Sequence, residues 1–115
     1  MTYNEELCQL LAENIENAKH YGPEEVLLHT QEEAAELIQA ISKYHRAAGH
    51  GVPVDLTIEE ARRKILEEMA DVTVLIEQLR YYLDFRKDEP GFREIYKRKI
   101  RRATERRQQN VCRTE

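Results

Sequence analysis

Residues 57–83 read TIEEARRKILEEMADVTVLIEQLRYYL, and their periodicity decides the fold class. Ile58, Ile65, Met69, Val72, Ile76, Leu79 and Leu83 recur at helical spacing, which marks an amphipathic helix. Thr57 followed by Glu60 matches a capping box: the hydroxyl accepts an early backbone N–H while the carboxylate reaches back. The spacing predicts a helix from Ile58 to about Phe85. One residue breaks its pattern. Glu68 falls inside the apolar stripe, between Val72 and Leu75 and near Leu79, when residues are placed about 100° apart. A lone ionised carboxylate in such a place is costly unless a cation pairs with it.

The flanking segments extend the same reading. A first helix is expected from Asn4 to Tyr21, with Leu7, Leu10, Leu11, Ile15 and Ala18 on one face. Gly22-Pro23 stops it and opens a second, from Pro23 to Ala48, whose stripe is Leu27, Ala34, Leu37, Ile38, Ile41 and Tyr44. Gly49, Gly51 and Pro53 then make residues 49–56 a loop, and Pro90 and Gly91 punctuate a turn over 86–91. A fourth, basic helix is expected over about 92–109, with a tail that frays. The predicted fold is all-α and four-helix bundle-like, in a single domain over residues 1–115. Helices two and three are apolar over more of their surface than so short a chain covers, which predicts a homodimer.

Composition supports helices over a sheet. Charged residues make up 35% of the 115, Gly and Pro number only 4 and 3, and alternating Val/Ile/Thr runs are absent. The two cysteines, Cys8 and Cys112, form no CxxC pair, which argues against a zinc site or a disulfide framework. Cys8 reads as a small apolar residue of the first helix. No apolar run approaches the ~20 residues of a membrane span, and the polar N-terminus lacks a leader pattern. The expectation is a soluble, cytoplasmic protein with no membrane partner. The net charge of −4 is divided: residues 1–92 hold 9 basic against 19 acidic groups, and residues 93–114 hold 9 against 2. The basic last helix suits either nucleic acid or phosphate contacts beside an acidic site.

Two acidic signatures lie on the two central helices: Glu32-Glu33-Ala34-Ala35-Glu36 and Glu68-Met69-Ala70-Asp71. Glu33 with Glu36, and Glu68 with Asp71, are three apart and share a helix face. Glu33 lies at the edge of its stripe beside Leu37 and Ala40, whereas Glu32 and Glu67 are turned away by about 100°. Four converging carboxylates repel unless a hard cation joins them, and oxygen-only ligation suits Mg²⁺, with Mn²⁺ as a substitute. Glu33, Glu36, Glu68 and Asp71 are therefore the expected metal ligands. Glu13 and Glu16 are also three apart, but they lie off their helix's stripe and read as solvated. A di-iron bundle would need Glu-x-x-His pairs, and none of His20, His29, His45 or His50 completes one. His45 and His50 flank the loop after helix two and read as surface groups, with a substrate-facing role as the alternative.

The order EExxE, about thirty residues, then ExxD, on an all-α chain of this size, resembles the MazG-like nucleoside triphosphate pyrophosphohydrolases. Gln31-Glu32-Glu33-Ala34-Ala35-Glu36-Leu37 and Glu67-Glu68-Met69-Ala70-Asp71-Val72 carry the match. The resemblance implies that Glu33, Glu36, Glu68 and Asp71 bind Mg²⁺, and that a nucleoside triphosphate yields the monophosphate and pyrophosphate. It also implies a Lys and an Arg on the last helix near the phosphates, for which Lys99 and Arg102 are the candidates; the alternative is a solvated basic helix. Lys43 shares a face with Glu36 and Ala40 and could also reach a phosphate. Glu32 adjoins the ligand pair without sharing its face, so it could orient a water or take its proton. A specialised dUTPase or phosphoribosyl-ATP pyrophosphohydrolase is the alternative within the superfamily. Outside it stands a non-enzymatic helical module that binds nucleic acid, the less favoured partner.

Overall fold

The computed structural model describes the backbone of residues 1–114 and the side chains of residues 1–110. Cys112 lies outside the described side chains. The described residues form four helices and no strand: α1 (Tyr3–Tyr21), α2 (Pro23–Ala47), α3 (Ile58–Leu83) and α4 (Phe92–Thr114). α4 continues past the expected stop at Gln109, consistent with the absence of Gly or Pro from the segment that follows. The chain divides into two compact units, Met1–Tyr82 and Leu83–Glu115.

Local sequence accounts for the helix ends. Thr2 caps α1: its hydroxyl accepts from Glu5 N at 3.2 Å, and Glu5 Oε2 accepts from Thr2 N at 3.0 Å. At α3 the Thr57 hydroxyl accepts from Glu60 N at 3.1 Å and donates to Glu60 Oε1 at 3.1 Å. Gly22 joins α1 to α2 at φ 87°, a left-handed conformation that side chains resist, and Pro23 opens the next helix. In the second unit, Asp84 Oδ1 accepts from Phe92 N at 3.2 Å at the start of α4. A Cβ on Gly91 would lie 2.6 Å from that same oxygen, so a side chain there would displace the Asp84 carboxylate.

In the first unit α1 and α3 run the same way and α2 runs against both. Asn14 Nδ2 donates to Val74 O (2.9 Å) and to Glu77 Oε2 (3.1 Å), and Gln78 Nε2 donates to Asn14 Oδ1 (2.8 Å). One turn further along both helices, the Tyr82 hydroxyl donates to Ala18 O at 2.6 Å. Each such bond contributes about 1 kcal/mol net, and losing a partner from the buried ones costs more.

The buried seam differs from the expected stripes. Its apolar members are Ala18, Val26, Ala40, Ala61 and Leu75, and its polar members are Asn14, Glu68 and Gln78. On α3 this seam is turned by about 80° from the large aliphatic stripe, past Glu68 toward Gln78. Ile58, Met69, Ile76 and Leu83 remain exposed, as do Leu27, Ile38 and Ile41 on α2 and Leu7, Leu10 and Leu11 on α1. Cys8 is exposed too, so it does not act as a packed apolar residue in the single chain. Small residues make up much of this seam, and the hydrogen-bonded amides of Asn14 and Gln78 lie in it where aliphatic side chains were expected.

Candidate metal centre

α2 and α3 bring three of the expected ligands together. Glu33, Glu36 and Glu68 each place a carboxylate oxygen within 4.8 Å of the others. Glu68 is 2% exposed and lies at the centre of the α3 seam, while Glu33, its side chain 16% exposed, occupies the same place on α2. Glu36 is exposed at the rim. Asp71 is exposed and lies outside the three-residue group, yet near enough for its charge to act on Glu33.

The electrostatics are those of a crowded acidic site. Burial pushes the Glu33 carboxyl above its ordinary value, and the charges of Glu36, Asp71 and Glu68 push it the same way. Glu68 moves down instead: Lys64 Nζ stands 2.9 Å from its Oε1, and that hydrogen bond outweighs burial. The same contact raises Lys64. His29 Nε2 stands 3.4 Å from Glu33 Oε1. These two contacts leave two buried acceptors unserved, because Glu33 Oε2 and Glu68 Oε2 have no hydrogen-bond partner. Buried carboxylate oxygens normally have partners. The donor set fits a hard divalent cation: it is all oxygen, anionic and partly sheltered. Ligand oxygens around Mg²⁺ lie roughly 3–4 Å apart, given metal–oxygen distances of 2.0–2.1 Å, so the side chains would close in by about 1 Å.

The other expected site residues lie elsewhere. Glu32 is exposed and lines a separate cavity of about 300 Å³ in the first unit, with Tyr21, Val26, Leu28, His29 and Gln78; Glu25 completes its wall. Lys43 is exposed on α2, seven residues beyond Glu36. Glu67 is exposed and 3.9 Å from Lys64. Glu13 and Glu16 are exposed, and Glu16 pairs with Lys19 at 3.0 Å. His45 and His50 are exposed with ring centroids 6.4 Å apart.

Lys99 and Arg102 belong to the second unit. Arg102 lines a cavity of about 720 Å³ with Lys97, Arg98 and Arg101, and Lys99 is not among its walls. Sequence reasoning missed Asn14, Lys64 and Gln78. Lys64 was detectable, since it lies four residues before Glu68 on the same face. No model of a protein family, no curated protein and no solved structure matches the chain.

Proposed function

We propose that this chain is a Mg²⁺-dependent nucleotide pyrophosphohydrolase of the MazG-like type, which converts a (d)NTP and water to the (d)NMP and pyrophosphate. The observation that carries the proposal is the pair of partnerless buried oxygens on Glu33 and Glu68, beside Glu36. Glu33, Glu36 and Glu68 would hold the ion, with Asp71 joining from the rim. When bound, the ion supplies neutralising charge at phosphate oxygens and acidifies water, with Mn²⁺ as a substitute. Lys43 would bind a phosphate oxygen through its positive charge.

The exposed aliphatic rows on the first unit support a homodimer within this reading. Ile38, at 68% exposed, and its neighbours on α2 and α3 have no cover among the described residues. The test is pyrophosphate release from a nucleotide panel with Mg²⁺, with Mn²⁺ and with chelator. Turnover should need the metal and vanish in Glu68→Gln while far-UV circular dichroism is preserved. Absence of turnover with every nucleotide and both metals refutes the proposal.

A second reading rests on α4, where Lys97 pairs with Glu94 (3.8 Å) and, among the described residues, no ion pair is seen for the other cations around its cavity. A non-enzymatic module binding nucleic-acid phosphates would show salt-sensitive binding that survives Glu68→Gln.

A further inference from the structure

The cavity beside the carboxylate cluster has the chemistry of a base-reading pocket. Buried Val26 and half-exposed Leu28 give it apolar walls, and Tyr21 presents an exposed ring at its edge. Gln78 is 5% exposed and lines the cavity. Its Nε2 is tied to Asn14 Oδ1 at 2.8 Å, and Asn14 is itself anchored on Val74 O. The Gln78 amide is therefore held in one orientation. Its Oε1 and second N–H have no partner among the described residues. A buried, fixed amide with an unused acceptor and donor reads the edge of a planar amide-like ring.

Charge narrows the choice of ring. Glu25 and Glu32 flank the cavity and can only accept hydrogen bonds when ionised. They favour an edge that carries an amine, and they repel a carbonyl in the same place. Position completes the argument. His29 lines the cavity and reaches Glu33 at 3.4 Å, so the pocket abuts the candidate metal centre. Gln78 lies ten residues from Glu68 along α3, about 15 Å, a span suited to base, sugar and phosphates laid end to end.

We infer that this cavity binds the nucleobase of the substrate and selects amine-bearing bases (cytosine, adenine, guanine) over uracil and thymine. The inference rests on the nucleotide reading above. Tyr21 stacks on the ring, Glu25 accepts from the exocyclic amine, and Gln78 pairs with the neighbouring ring edge. Gln78 and Glu25 are specificity residues, not catalytic ones.

The test is calorimetric binding of CMP, AMP, GMP, UMP and TMP to the full chain in Mg²⁺, alongside turnover of the matching triphosphates. The three amine-bearing monophosphates should bind at least about tenfold tighter than UMP and TMP, the worth of one well-placed hydrogen bond. Glu25 is exposed, so Glu25→Gln should fold normally and should bring that ratio toward one. Tyr21→Ala should weaken all five alike, and Tyr21→Phe should restore them. Equal affinity across the five, no binding of any, or a ratio unchanged in Glu25→Gln overturns the inference. Turnover without base discrimination removes this inference and leaves the hydrolase; discriminating binding without turnover removes the hydrolase and leaves the pocket.

Discussion

Glu33→Gln should make the metal-free protein more stable and the metal-bound protein less stable than wild type. Glu33 is raised first by burial and then by Glu36, Asp71 and Glu68, so its folded form keeps a proton at a pH where the unfolded chain has lost it. The sign follows: the stability this group contributes is present below its unfolded pKa and is lost as pH rises through the folded value. At pH 7.5 without metal, the ionised Glu33 therefore works against folding. Two like charges no more than 4.8 Å apart repel by about 3 kcal/mol at an effective dielectric of about 20. Water at the exposed Glu36 screens much of this, leaving about 1 kcal/mol, or about 4 °C in Tm, for the neutral isostere to recover. A divalent ion at 100 times its Kd stabilises the wild type by about 2.7 kcal/mol, roughly 10 °C for a chain of this size. Gln at this position removes one anionic ligand and most of that gain. The assay is thermal unfolding of both proteins at pH 7.5 in chelator and in saturating Mg²⁺ or Mn²⁺, followed by circular dichroism. Crossing curves are expected. A variant less stable than wild type in chelator, or a wild type unmoved by either metal, would refute the reasoning.

Lys64→Ala leaves Glu68 buried without its counter-ion, so the variant should lose stability in chelator and recover part of it with metal. Glu68 is held down by Lys64, so its stabilising contribution exists above the unfolded pKa and disappears as pH falls through the folded one. Acid titrations of Tm should thus be shallower in Lys64→Ala than in wild type. Asn14→Ala removes two donated bonds and strands the Gln78 amide, and urea unfolding should report a loss of about 2–3 kcal/mol. Ile38→Glu, on the exposed aliphatic row of α2, should convert a dimer to a monomer in light scattering while leaving the helical spectrum intact. If wild type is already monomeric at micromolar concentration, the proposed pairing fails.

The helices were legible because their signals are local. The Thr57 hydroxyl cap, the Gly22-Pro23 junction and the breakers at Gly49, Gly51, Pro90 and Gly91 act within a few residues of themselves. Glu68 was legible for a related reason: a carboxylate inside an apolar row contradicts its own helix, and such conflicts collect at functional positions. The convergence of Glu33 and Glu36 on Glu68 followed from helical spacing together with two helices running in opposite directions.

Periodicity could not reveal which face each helix buries. Met69, Ile76, Ile38 and Leu10 define the strongest aliphatic rows, yet they stay exposed in the single chain. The seam that closes is narrower, built from Ala18, Ala40 and Ala61, with Asn14 and Gln78 bonded across it. Hydropathy ranks amides and alanines low, so no pattern in one helix announces a polar pair that forms only when α1 meets α3, 64 residues apart. Asp71 shows the same limit within the site. Its spacing from Glu68 placed it on the ligand face, yet its carboxylate stays exposed and outside the three-residue group, acting on Glu33 through its charge. Sequence determined the helices and the acidic pairs they carry; packing decided which oxygens met, which stayed without partners, and that an amide-lined cavity opened beside them.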